Sequence, residues 1–166
     1  MLKLLARPDW IGWACSALGA VLLAILANVY ILLARPFGAT QGIPIDQTGP
    51  IGAVIGTIVP FVWLFLFAGM GTTFWLLVRG REDMTISAWL VVILVALCVG
   101  YPFYTGSLNS PSVALVGNGI VVVLAAFACW RIWPMSRAGA ALLLPVVLWV
   151  SLASVALIAL MTGQRF

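Results

Sequence analysis

Histidine is absent from the sequence, acidic residues number four, and charged residues of every kind make up 7% of the chain. Each shortage excludes something. A soluble domain carries charge on roughly a quarter of its residues, so a water-facing globular surface cannot be built here. The acids, Asp9, Asp46, Glu82 and Asp83, fall at the chain start or between apolar runs. No carboxylate therefore sits at membrane depth, which argues against a proton relay or an ion-coupled pump. With no histidine, no carboxylate pair and no nucleophile beside a base, hydrolase and transferase chemistry lacks its side chains. The three cysteines, Cys15, Cys98 and Cys129, lie inside apolar runs without metal-ligand spacing, and they read as small buried hydrophobes. No metal is expected. Eight Lys and Arg give a net charge of +4 but form no basic stripe, so no nucleic-acid partner is expected.

What the chain has in quantity is apolar surface, at 64% of 166 residues. Five apolar runs are separable, at about residues 10–34, 52–78, 86–104, 111–133 and 140–161. Each is long enough to cross the hydrocarbon as a helix. The first is too long for a cleaved signal peptide, and no small-x-small site follows it. The breaks are marked by "ARPFGATQGIPIDQTGP", by the charge knot "RGRED", by "TGSLNSPS" and by "RIWPMSRAG". Ser110 is expected to cap the fourth helix, with Pro111 at its first position, and Ser136 to cap the fifth. The expected fold is one all-α domain, residues 1–166, an integral membrane bundle of five transmembrane helices. Six Lys and Arg fall on the side of the N-terminus and two, Arg35 and Arg165, on the other. That asymmetry predicts a cytoplasmic N-terminus and an outer C-terminus.

Six of the eight tryptophans, Trp10, Trp13, Trp75, Trp89, Trp130 and Trp133, fall at span ends on the N-terminal side and form an interfacial belt. Trp63 and Trp149 do not. They stand about 16 Å and about 14 Å into their spans at 1.5 Å per residue, near the midplane. An indole N–H in hydrocarbon needs a partner, so each is expected to point into the bundle. Pro60, Trp63, Phe67, Met70 and Phe74 share one helical stripe. Trp149, Leu152, Ala153 and Ala156 share another. Aromatics facing small residues can leave a flat slot, and plain aromatic packing accounts for the same pattern. Pro60, Pro102 and Pro145 are expected to kink three spans. Small residues recur at Gly12, Ser16, Ala20 and Ala24, and again at Ala96 and Gly100. Such faces serve internal packing or dimerisation equally well.

The stripe on the second run has a further spelling. "P-x-x-W-x-x-L-F-x-x-M-G", Pro60 to Gly71, resembles the second helix of the translocator protein/tryptophan-rich sensory protein family (TspO/MBR), whose members read P-x-x-W-x-x-L-Y-x-x-M-G. "YPFYTGSLNSPSVAL" is similar to that family's W-x-P-x-F-F-G turn after its third helix, and "LLLPVVLWVSLAS" to P-Y-x-x-W-x-x-x-A in its fifth. The five spans and the long first loop agree, and the resemblance runs over about residues 10–162. It implies a five-helix bundle, usually a homodimer, with a pocket open toward the first loop that takes porphyrins, sterols or synthetic ligands. On matching positions Trp63, Phe67, Trp149 and Ala153 would line the pocket, with Val59 and Leu152 beside them and Pro60 shaping the wall. A family Asn falls at Leu97 and a nearby Trp at Gly100. The fifth-helix Leu-Asn pair falls at Ala156 and Leu157, and the first loop carries no tryptophan.

The expected function is therefore binding of a flat apolar ligand, foremost a porphyrin such as protoporphyrin or a haem-like tetrapyrrole, with a sterol or lipid as other candidates. The protein would act as sensor, carrier or scavenger. No obligatory cofactor is expected. The expected partners are membrane lipid, the ligand and a second copy of the chain, with Ala96 and Gly100 at the dimer face. Two other readings stand beside it: a photochemical enzyme that degrades porphyrin, and an accessory subunit of a larger membrane complex.

Overall fold

In a bilayer core no water is available to satisfy backbone N–H and C=O groups, so an apolar chain crosses it as helices. The computed structural model describes residues 2–34, 50–81, 83–108 and 110–162. A short helix, α1 (Leu2–Leu5), precedes five long ones: α2 (Trp10–Ala34), α3 (Pro50–Val78), α4 (Ile86–Leu108), α5 (Pro111–Ile132) and α6 (Arg137–Met161). All five are long and apolar enough to span a membrane. The chain is an integral, multi-pass membrane protein built as a five-helix bundle. The long first loop with Arg35 and Asp46 lies outside the described residues, as do Glu82 and Arg165.

Pro60, Pro102 and Pro145 sit inside α3, α4 and α6 without ending them. Helix α4 also runs past Tyr104 into the stretch expected as a turn. There the Thr105 hydroxyl donates to Tyr101 O at 2.7 Å, turning a residue type that often breaks helices into one that satisfies its own. Ser136 caps α6 as expected, accepting from the Gly139 N–H at 3.1 Å. Ser110 does not cap α5 with its side chain. It supplies only the extended backbone of a cap, and Pro111 after it has no N–H that needs a partner.

Around the ring, α3 packs between α2 and α6, α6 packs on α5, α5 on α4, and α4 closes against α3 and α2. The small-residue face of α2 turns inward: Ser16, Ala20 and Ala24 are buried. A methyl group at Gly71 would strike the Ser16 carbonyl and stand 2.8 Å from Ala17 Cα, so α2 and α3 touch backbone to backbone there. Leu66, Met70, Leu94, Ile132, Leu143 and Val146 fill the centre.

The end of the bundle that holds the N-terminus is tied down by polar contacts. The Trp75 indole donates to Arg7 O at 2.8 Å, the Trp13 indole to Thr72 Oγ1 at 3.1 Å, and Gly80 N to Ala6 O at 2.8 Å. Gly80 takes φ +68°, a left-handed value that ends α3 and suits a residue without Cβ. Asp9 caps α2 through the Gly12 N–H at 3.0 Å and pairs with Arg7 at 2.8 Å. The Gly12 N–H, and then Arg7, hold its carboxyl below the ordinary carboxylate range.

Candidate functional site

The two deep tryptophans stand on α3 and α6, and one buried hydroxyl sets the register of those helices. Thr73 Oγ1 lies 2.9 Å from Gly69 O and 3.0 Å from Gly139 O, so its proton is shared between its own helix and the neighbour. Gly69 admits the backbone of α6: a Cβ there would stand 3.2 Å from Leu142 O. Thr73→Val is expected to lower stability by about 1 kcal/mol or less, since the bond is lost while the volume is kept. Unfolding of the detergent-solubilised protein by added denaturing detergent measures it, and an unchanged midpoint would mean that the hydroxyl locks nothing.

This lock places Thr73 level with Gly139, and Gly69 level with Leu142. The helices are antiparallel and rise about 1.5 Å per residue. Ten residues from Thr73 along α3 stands Trp63; ten residues from Gly139 along α6 stands Trp149. Both are therefore about 15 Å from the lock, at one height, on neighbouring helices. Both are half-buried and pack against the central cluster. The Trp63 ring tilts against Phe67 with centroids 5.9 Å apart. Neither deep indole N–H has a hydrogen-bond partner among the described residues, whereas those of Trp13 and Trp75 do.

At this height the inward faces of both helices lose their cover. On α3, Met70 is 0% and Phe67 3% exposed, Trp63 is half-buried, and Pro60 is exposed. On α6, Val146 is 0% and Val150 3% exposed, yet Ala153 is exposed. A heptad returns a helix to within about 20° of its starting direction. Pro60 therefore looks the same way as Phe67, and Ala153 the same way as Val146. The faces have not turned, but their cover is lost, and the stretch with Pro60 on α3 and Ala153 on α6 is termed the window. Leu157, one turn beyond Ala153, is buried again, so α6 is still packed past it. The window lies on the side of the bundle away from the N-terminus.

The remaining candidates divide around this window. Val59 is half-buried beside Pro60, and Leu152 and Ala156 are exposed on α6. Leu97 packs on the core and lines a separate groove of about 650 Å³ between α4 and α5, with Ile93, Gly119 and Val123. Ala96 is exposed on α4, and a Cβ at Gly100 would meet open space. The Thr73 lock and the two glycine contacts at Gly69 and Gly71 had no distinctive sequence signal, because Thr and Gly are common in membrane helices.

Two indoles, a phenyl ring and small side chains can stack on a flat apolar molecule and offer it indole N–H donors. They supply no acid, base or nucleophile. In comparison with known proteins, no curated protein and no solved structure matches the chain. The family model of the TspO/MBR family matches residues 46–162. That stretch takes in α3 to α6, the lock between them, both deep tryptophans and the window above, and on this match the chain belongs to the TspO/MBR family.

Proposed function

We propose that the protein binds a flat apolar ligand, foremost a porphyrin or related tetrapyrrole, at the window beside Trp63 and Trp149, and serves as a sensor, carrier or scavenger for it. One observation carries this reading: two half-buried indoles, without hydrogen-bond partners among the described residues, stand at one height, where the inward faces of α3 and α6 lose their cover at Pro60 and Ala153. Family membership supports a membrane ligand-binding or sensory role. Titrating the purified protein with protoporphyrin while following tryptophan fluorescence tests it. Saturable quenching at one porphyrin per chain is expected, and a linear, unsaturable decline would overturn it.

The α4 face with exposed Ala96 and half-buried Gly100, where a Cβ would meet open space, supports a homodimer in the same proposal, because close helix approach in membranes needs small residues. Gly100→Leu is expected to move the protein from dimer to monomer mass in mild detergent. An unchanged mass would place the interface elsewhere.

The Lys and Arg asymmetry, six against two, supports a cytoplasmic N-terminus. A cysteine in a C-terminal tag is expected to react with an impermeant thiol reagent in intact cells. Protection until lysis would reverse the orientation.

A further inference from the structure

A second concavity lies away from the α3–α6 window, at the tight turn between α5 and α6. It is a groove of about 520 Å³ lined by Cys129, Trp130, Arg131, Trp133, Ala140 and Leu144, among others. Its floor is apolar. The Cys129 thiol donates to Ala140 O at 3.5 Å and closes the gap between the two helices beneath it. Trp130 and Trp133 are 71% and 51% exposed at its margin, and Phe127 props the Trp130 ring at a centroid distance of 5.7 Å. Neither indole N–H has a hydrogen-bond partner among the described residues.

Arg131 is the cation of the groove. It sits in the last turn of α5, is exposed, and has no ion pair among the described residues. By contrast Arg7 pairs with Asp9, and Arg79 stacks over Trp75 at 5.1 Å. The groove opens at the end of the bundle where Trp10, Trp13 and Trp89 are exposed, which is the depth at which indoles meet lipid headgroups. A guanidinium and two indole donors, all without partners among the described residues, thus line one interface together with an apolar floor. Water alone would satisfy the guanidinium, but it would leave the floor bare. A soluble anion would do the same.

We propose that this groove is a binding site for one anionic phospholipid of the leaflet on the N-terminal side. Its phosphate meets Arg131 and the indole N–H groups, and an acyl chain lies along Ala140 and Leu144. A zwitterionic lipid brings its own cation to the guanidinium and is held less well. Basic sites between membrane helices select anionic headgroups on this principle, and a cation near the surface contributes a factor of about five in affinity.

Native mass spectrometry of the full chain in mild detergent, titrated with dioleoyl phosphatidylglycerol or dioleoyl phosphatidylcholine, tests the site. One phosphatidylglycerol is expected to be retained in preference to phosphatidylcholine. Arg131→Gln is expected to weaken phosphatidylglycerol about fivefold and to leave phosphatidylcholine nearly unchanged, while Arg131→Lys keeps most of the preference. Leu144→Gln, an exposed change at the groove floor, is expected to weaken both lipids with the cation intact. Arg81→Gln, an exposed cation in a loop at the same end, is expected to change neither. Three results would each overturn the proposal. One is parental phosphatidylglycerol affinity in Arg131→Gln. Another is an equal loss in Arg81→Gln, which would mean diffuse charge attraction. The third is displacement of the lipid by glycerol phosphate with no effect of Leu144→Gln, which would mean an anion site without a lipid.

Discussion

Ala153→Phe is expected to abolish binding of protoporphyrin while the protein still inserts and runs as a folded species. Ala153 is exposed, although it looks the same way as the fully buried Val146, so a phenyl ring placed there enters the window and displaces no core side chain. The flanking indoles should contribute less each. Trp63→Phe and Trp149→Phe are expected to weaken binding by about 0.5–1.5 kcal/mol apiece for lost stacking, with a similar amount added wherever an indole hydrogen bond to the ligand is lost. Trp10→Phe and Trp133→Phe serve as controls, because these belt tryptophans are exposed at the far end of the bundle. Fluorescence titration of all five variants decides the matter. If Ala153→Phe binds as the parent does, or if belt and deep substitutions behave alike, the deep tryptophans are packing residues only. An accessory role in a larger complex would then become the better reading.

Gly71→Ala is expected to cause the largest loss of stability, about 1–3 kcal/mol, for the addition of a single methyl group. In a helix the change from Gly to Ala is otherwise favourable by about 1 kcal/mol, so the sign of the result carries the information. The new Cβ would strike the Ser16 carbonyl and stand 2.8 Å from Ala17 Cα and 2.9 Å from the Ser16 carbonyl carbon. These are backbone atoms, which cannot rotate away as a side chain can. Helix α2 must move off α3, and the tie from Trp13 to Thr72 beside the contact moves with it. Gly119→Ala is the matched control, since a Cβ there meets open space. Thermal unfolding in detergent is expected to separate the two in opposite directions. Equal melting temperatures would show that α2 and α3 do not meet at this point.

Much of the bundle was legible in the order of residues. A bilayer filters sequence coarsely: runs of about 20 apolar residues, bounded by proline, glycine and charge, leave helices as the only satisfied backbone. Hence the five spans, the belt of tryptophans and the depth of Trp63 and Trp149 could be counted off the chain. The spelling from Pro60 to Gly71 also pointed to the family that the matched stretch bears out. Helix ends were less legible. Thr105 turned its hydroxyl back onto α4 and carried the helix past Tyr104, and Ser110 left the side-chain cap unmade. Each outcome depends on one torsion that composition does not encode.

Sequence alone determined that the chain crosses the membrane five times, because hydropathy and length act on each segment independently of its neighbours. It also determined which residues share a stripe, because helical periodicity is local. It did not determine what each stripe faces. The small-residue stripe of α2 was equally suited to a partner chain and to the bundle interior, and the backbone contact at Gly71 assigned it to the interior. The depth of Trp63 and Trp149 was countable, but that their helices are neighbours, tied where the Thr73 hydroxyl reaches the Gly139 carbonyl, was not, nor was the window at Ala153, left by neighbours that cover Val146 and not the same face one heptad on. Register and cover are relations between helices, set by packing at close range, and only the assembled bundle decides them.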